Sequence, residues 1–283
     1  MRVGIYTNVL KDRGCETTKK IVGLLKERGA DFCVHNAISG YFAGADAFGE
    51  DSPGGFDFLI TVGGDGTILR IAEFCARTDT PIVGVNLGQL GFLTEADPAE
   101  LDKLIDAIKG KRYGLQKRMM LKIGAGGREY SALNELAVCR DDNGRMITLN
   151  VYVDGSFVDK FYCDGYIVAT PTGSTAYSLS AGGPIISPSA GVLALTPVNS
   201  HSLHSRPVVI GENESVRVEL AENSESACVL ADGTQVARLK GGQSALASRA
   251  RKSASFVTLG GADFYLRLLS KLNYWSTTHH TGS

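Results

Sequence analysis

Phe56-Asp57-Phe58-Leu59-Ile60-Thr61-Val62-Gly63-Gly64-Asp65-Gly66-Thr67-Ile68-Leu69-Arg70-Ile71-Ala72-Glu73-Phe74-Cys75-Ala76 changes its periodicity halfway along. Residues 56–62 are an apolar, β-rich run, whereas residues 68–76 return their apolar side chains at helical spacing. The glycine-rich stretch between them is therefore predicted as a strand-to-helix turn. Three glycines let a ligand come close to the main chain, and the free N–H groups at the start of a helix attract anions. Asp65 is the anomaly at such a site. A carboxylate beside a phosphate chain is unfavourable unless it binds a metal or takes a proton from an attacking hydroxyl. The pairing points to phosphoryl transfer. A tight turn in which Asp65 merely caps the helix would use the same residues, so the rest of the chain has to decide.

Outward from this turn, composition removes several function classes. The 283 residues suffice for about two domains, since single domains usually run to ~100–200 residues. Lys and Arg number 29 against 30 Asp and Glu, so no global field favours nucleic acid or an anionic membrane. The six cysteines (Cys15, Cys33, Cys75, Cys139, Cys163, Cys228) stand far apart without a C-x-x-C pair, and several lie in apolar runs. They read as reduced core residues, not as a disulfide framework or a zinc site. Met1 to Asn8 is too short in its apolar part for a signal peptide, and no run approaches the ~20 apolar residues of a membrane span. A soluble, cytoplasmic protein is expected.

Residues 1–115 are predicted as a Rossmann-like α/β domain. Strands at 3–7, 30–35, 56–62 and 81–86 alternate with helices at 17–28, 68–76 and 98–108, while 36–55 reads as an irregular loop. Parallel sheets of this kind bind ligands at the carboxyl ends of their strands, which is where Asp65 falls. Residues 111–118 look like the crossing point to a second domain. From 116 to 260 short alternating strands dominate, including one long run at 129–140, and Asp154-Gly155 and Asp232-Gly233 are hairpin signals. This half is predicted to be β-rich and β-sandwich-like. Residues 261–275 read as a closing helix with Phe264, Leu268, Leu269 and Leu272 on one face, and 276–283 as a polar tail whose His279-His280 pair is incidental.

The other dense feature is Asp164-Gly165-Tyr166-Ile167-Val168-Ala169-Thr170-Pro171-Thr172-Gly173-Ser174-Thr175-Ala176-Tyr177-Ser178-Leu179-Ser180-Ala181-Gly182-Gly183-Pro184. A strand runs into a segment of small hydroxyls and exposed N–H groups with one tyrosine, which suits sugars and base edges. Gly84-Val85-Asn86-Leu87-Gly88-Gln89-Leu90-Gly91-Phe92-Leu93, Asn134-Glu135, Thr196-Pro197, His201-Ser202-Leu203 and Arg206-Pro207 complete the set. In this order and spacing, over nearly the whole chain, these segments resemble the NAD kinase family. The Thr-Pro-Thr-Gly-Ser-Thr-Ala-Tyr run is highly specific, whereas Gly-Gly-Asp-Gly-Thr is shared with lipid kinases and has a relative in phosphofructokinases.

The resemblance implies ATP, NAD and a divalent cation, usually magnesium, with phosphate passing to the 2′-hydroxyl of the adenosine ribose. It implies an active site in the cleft between the domains and a homodimer or homotetramer. It also assigns residues. Asp65 matches the general base, with Gly66 beside it at the NAD site. Gly63, Gly64, Gly66 and Thr67 match the phosphate-donor loop, and Asn134 and Glu135 the adenine- and ribose-binding pair. Asp164 and the run Thr175, Ala176, Tyr177, Ser178, Leu179 and Ser180 match further dinucleotide contacts. Arg70 and Arg145 fall where basic residues meet phosphates, and no metal ligand is assigned. Tyr162 and Thr234 depart from the family pattern, which often has a basic residue and a Gln at those positions.

Asn134 and Glu135 raise a geometric condition. Adjacent strand residues point to opposite faces, so both can meet one ligand only if the strand ends or bulges there. Arg70 could instead pair with Glu73, and Arg145 could be a solvated turn residue. No Walker A lysine and no protein-kinase catalytic loop is present, so phosphate handling falls to backbone amides, local basic groups and the metal carried with ATP. Two rival functions share these motifs. A lipid or sphingoid kinase would need a broad apolar acceptor site, and a non-catalytic NAD(P) sensor would not need Asp65.

Overall fold

In a computed structural model the chain divides into two compact units, Met1–Lys117 with Ala254–Ser283, and Arg118–Ser253. Residues 1–88, 91–141, 144–202, 204–260 and 264–278 are described, with side chains as far as Lys271 in the last helix. Gln89, Leu90, Asn143, Leu203, Ala262 and the His279-His280 pair therefore lie outside the described residues, as does the side chain of Leu272.

The first unit runs β1 (Arg2–Thr7), α1 (Glu16–Glu27), β2 (Asp31–His35), β3 (Asp46–Phe48), β4 (Phe58–Gly63), α2 (Asp65–Arg77), β5 (Ile82–Asn86), α3 (Leu101–Lys109) and β6 (Gly114–Arg118). Strand β4 is buried along its whole length and β5 likewise, as expected of parallel strands covered on both faces. Helices α1 and α3 supply Ile21, Leu25, Leu101, Leu104 and Ile105 to one core with Val3, Ile5, Ile60 and Val85. Arg28 ties their ends together through Asp102 and Asp106.

Residues 36–55 are not a structureless loop. Asn36–Tyr41 forms a 3₁₀ turn, and β3 pairs in parallel with β2 because Phe48 buries its ring against Phe56 and Phe74. The expected crossing segment 111–118 likewise contains β6, an edge strand of the first sheet.

The second unit holds β7 (Leu121–Ala125), β8 (Arg128–Ala132), β9 (Glu135–Arg140), β10 (Ile147–Val153), β11 (Ser156–Cys163), β12 (Gly165–Ala169), α4 (Tyr177–Ser180), β13 (Val192–Val198), β14 (Val208–Gly211), β15 (Val216–Leu220), β16 (Ser226–Ala231), β17 (Thr234–Lys240) and β18 (Ser244–Arg249). They form two six-stranded antiparallel sheets, ordered β11-β10-β15-β18-β7-β8 and β14-β13-β12-β9-β16-β17. A single core takes Leu121, Ile123, Leu149 and Val218 from one sheet and Leu136, Val138, Tyr166 and Leu195 from the other, which is a sandwich. Asp154 and Asp232 adopt positive φ ahead of Gly155 and Gly233, closing the two-residue hairpins β10–β11 and β16–β17.

The run 129–140 is two strands in different sheets, interrupted at Leu133-Asn134. The chain then returns to the first unit. β19 (Ala254–Thr258) pairs in parallel with β5, so the first sheet reads β3-β2-β1-β4-β5-β19-β6 and the β-rich unit ends before residue 254, not at 260. Alternating apolar residues look the same in either sheet, and only the parallel pairing of Phe256 with Ile82 separates them. The closing helix α5 (Phe264–Thr278) takes in the first residues of the expected tail.

Candidate active site

β4 ends at Gly63, whose carbonyl accepts from Leu87 N–H, and α2 begins at Asp65 with Gly64 as its N-cap. The Gly64 N–H donates to Thr67 Oγ1 at 3.3 Å, and the Thr67 N–H donates back to the Gly64 carbonyl at 2.8 Å. Thr67 thus stitches the turn, and Asp65 is not the cap. Its carboxylate reaches away from its own helix: Oδ2 accepts from Phe92 N–H at 2.8 Å and Oδ1 from Leu93 N–H at 3.1 Å. The loop can close this far only because residue 91 is glycine; a Cβ there would lie 2.1 Å from Asp65 Oδ1. Gly66 is exposed with open space beside it, and Lys11 Nζ stands over Gly64. Arg70, on the next turn of α2, bears on the Tyr6 hydroxyl, where its charge works against the upward push of burial. The pairing with Glu73 weighed from the sequence does not explain its position.

The second unit assembles the other expected residues around the break between β8 and β9. Asp232, at the tip of the β16–β17 hairpin, accepts the N–H groups of Leu133 (2.8 Å), Asn134 (2.7 Å) and Glu135 (3.2 Å). Three donors that a continuous ladder would have paired are satisfied by one carboxylate, so the strand can end there. The condition set by the alternation of strand side chains is met. The Asn134 carbonyl accepts from Thr170 N–H, and Gly173 passes so close that a Cβ would sit 2.1 Å from that oxygen.

Glu135 is 5 % exposed and its Oε2 has no hydrogen-bond partner. Burial pushes its carboxyl up to about 8; the neighbouring Asp232 charge adds to this, and a backbone N–H from Tyr177 works against it. Asp232 is itself raised by burial, with its three N–H donors opposing. The Tyr177 hydroxyl reaches Cys139, whose thiol burial raises to about 11. Asp164 is held by Arg140 Nε at 2.8 Å and by Asn199 Nδ2 at 2.9 Å.

The Thr175–Ser180 run divides by direction. Tyr177 and Ser180 are exposed and Ala176 and Leu179 half-buried. Thr175 turns its hydroxyl back to the Thr172 carbonyl, and Ser178 is fully buried, paired with Thr196 Oγ1 at 2.9 Å. The Ser178 hydroxyl is thus an internal hydrogen-bonding group and not a free ligand donor. A sequence of alternating small hydroxyls does not reveal which of them point inward. Arg145 is 81 % exposed and faces Glu225 at 3.6 Å beside a cavity also lined by Tyr162 and Thr148. Thr234 is exposed at the start of β17.

Sequence reasoning missed the part played by four residues. Phe92 and Leu93 act through backbone N–H groups that no side-chain pattern discloses, although Gly91 marks the close approach. Asp232 read as a turn residue within the family resemblance, with no site role assigned to it. Lys271, 3.9 Å from Asp65 Oδ2, sits on a helix whose expected face was apolar. Among the described residues no group of three or more His, Cys, Asp or Glu could hold a metal ion, and no helix is long and apolar enough to cross a membrane. All six cysteines are free.

The ATP-NAD kinase N-terminal domain family matches residues 3–113, and the ATP-NAD kinase C-terminal domain family matches residues 133–259. An NAD kinase from Thermoanaerobacter sp. (strain X514) is 36% identical over 279 residues, covering 96% of this chain and 98% of its own. One from Christiangramia forsetii is 31% identical over 291 residues, covering 97% and 98%. Among solved structures, an NAD kinase from Archaeoglobus fulgidus in complex with ATP superposes with a TM-score of 0.77 at 28% identity, over 96% of this chain and 99% of that one. Yeast NADH kinase complexed with NADH shares the fold, with a TM-score of 0.85 at 24% identity over 100% and 89%. With both halves matched and full-length relatives above 30% identity, the chain belongs to the NAD kinase family.

Proposed function

We propose that this member of the family transfers the γ-phosphate of ATP to the 2′-hydroxyl of the adenosine ribose of NAD, with Asp65 as the general base. The ribose oxygen forms a bond to the γ-phosphorus while the bond from that phosphorus to the β,γ-bridging oxygen breaks. ADP departs and the hydroxyl proton passes to the Asp65 carboxylate. One observation carries the reading. Asp65 opens α2 but caps nothing, and both its oxygens are fixed from outside the helix while the side chain remains 29% exposed. A capping aspartate would spend its oxygens on the first-turn N–H groups of its own helix.

Around it, the backbone of Gly63, Gly64, Gly66 and Thr67, with Lys11 above, receives the donor phosphates. Asn134, Glu135, Asp164, Tyr177 and Ser180 hold the dinucleotide, and Arg70 and Arg145 meet phosphates. A divalent cation, magnesium in the usual case, enters with ATP and offsets triphosphate charge. Homodimer or homotetramer assembly and a cytoplasmic location belong to the same reading. Exposed Phe157 and Val158 on β11 and Val208 and Val209 on β14, both edge strands, offer apolar surface for assembly.

The test is purified protein with ATP, magnesium and NAD, scored for NADP beside a parallel lipid-acceptor reaction. NADP formation supports the reading. Phosphorylated lipid in its place would make the protein a lipid kinase, and NAD binding without either product a sensor.

A further inference from the structure

Helix α5 docks on the loop that holds Asp65 through three residues spaced as one helical face: Phe264, Arg267 and Lys271. Phe264 packs its ring against Phe92, centroids 6.0 Å apart. Arg267 is buried, donating to the Thr94 carbonyl and, at 2.9 Å, to Glu95 Oε2. The other oxygen of Glu95 accepts from Leu259 N–H at 2.6 Å, which fixes the approach to α5 as well. The third residue, Lys271, places Nζ 4.2 Å from the centre of the Phe92 ring and 3.9 Å from Asp65 Oδ2.

We propose that Lys271 is a positioning residue for the phosphoryl-transfer reaction, clamping the Asp65 carboxylate and the Phe92 backbone into one arrangement. The inference rests on the general-base reading of Asp65. Asp65 Oδ2 takes the Phe92 N–H, and the ring of that same residue carries the Lys271 ammonium, so one cation closes a cycle of three groups. At 3.9 Å the contact is an ion pair and not a hydrogen bond. Lys271 acts as a point charge and leaves the lone pair of Oδ2 not used by Phe92 N–H available to a ribose hydroxyl. Its side chain is 23% exposed, and burial lowers its basicity while the Asp65 charge opposes that. Such a charge is screened far less than a surface one. No signal peptide, donor loop or dinucleotide motif pointed to this residue; only the spacing of Phe264, Arg267 and Lys271 does.

The experiment uses the full chain with Lys271→Met, which keeps the stem over Phe92, and Lys271→Arg, which keeps the charge. Amide exchange at Phe92 and Leu93 is expected to accelerate about tenfold in Lys271→Met and to stay near wild type in Lys271→Arg. In the same pair kcat is expected to fall about tenfold for Met, with KM for NAD and for ATP within about twofold, and to recover in large part for Arg. Lys271→Gln gives the same reading should the Met variant fold poorly. Unchanged exchange and kcat in Met and Gln, or equal losses in Arg and Met, would overturn the clamp. A wild-type protein that makes no NADP would sink the kinase reading instead, and the exchange measurement would still decide the clamp.

Discussion

Asp65 and Glu135 are both carboxylates at strand ends, and the two units treat them in opposite ways. Asp65 receives two backbone N–H groups, faces an ammonium and keeps over a quarter of its side chain in water. Glu135 is buried, receives one N–H, has a second carboxylate beside it and leaves Oε2 unpartnered. The first environment supplies donors to a negative charge, and the second withholds them. Desolvation and a like charge favour the neutral acid, which is why Glu135 is pushed up to about 8. Raised in this way, the carboxyl favours its protonated form, which can donate a hydrogen bond, whereas a base must be free to accept one. Family resemblance gives Asp65 the proton-accepting role and Glu135 a place in nucleotide binding, but it does not say in which protonation state Glu135 serves.

The comparison breaks most sharply at Asp65→Asn. Asn cannot take the hydroxyl proton, and general-base contributions are typically ~10²–10⁴-fold, so kcat should fall by that factor while NAD affinity persists. Asn also offers one acceptor oxygen where Phe92 and Leu93 both donate. A stability loss of about 1 kcal/mol, a few degrees of melting temperature, should accompany it. Near-normal kcat by steady-state kinetics would remove Asp65 from the proton-accepting role.

These sites were unequally legible. The β4–α2 turn could be read because its neighbours switch from an apolar run to helical spacing, and the sandwich because its strands alternate and turn on Asp-Gly. Local patterns could not show that the strand at 254–258 rejoins the first sheet, since that depends on a parallel partner far away in sequence. Nor could they show that α5 docks through Arg267 and Lys271: an apolar face of Leu268 and Leu269 was the natural expectation, yet Leu269 is exposed. The long stem of lysine covers apolar surface while its charge serves elsewhere, so a charged residue can belong to a packed face. Asp232 illustrates the same limit, because a hairpin signal says nothing of the three N–H groups that its side chain satisfies on another strand.

Asp232→Ala is the next largest break. It strands the N–H groups of Leu133, Asn134 and Glu135 at the β8–β9 junction and opens the geometry that sets Asn134 beside Glu135. The cost should be about 2–4 kcal/mol, a drop in melting temperature of roughly 5–12 °C, with a higher KM for NAD and little change in that for ATP. Asp232→Asn keeps one acceptor and should fall between the two. An Ala variant with wild-type melting temperature and KM would mean that the junction holds without its carboxylate.

Glu135→Gln should have the smallest effect on turnover, and its value lies in pH dependence. The native carboxyl is raised from 4.5 to about 8, so between these values the folded protein binds a proton that the unfolded chain has released. Stability then declines as pH rises through that window and levels off above it, because unfolding releases the proton. Gln mimics the protonated acid in shape and still donates a hydrogen bond, but it cannot ionise. The variant should therefore lose this slope: its melting temperature relative to wild type should climb from about pH 5 to pH 8, with kcat and KM for NAD at pH 7 within a few-fold. Had Glu135 served as an anion, as Asp65 is argued to do, the opposite pattern would follow. Gln would then cost most stability at high pH and raise KM sharply. Melting curves of the two proteins across that range separate a buried acid from a buried charge.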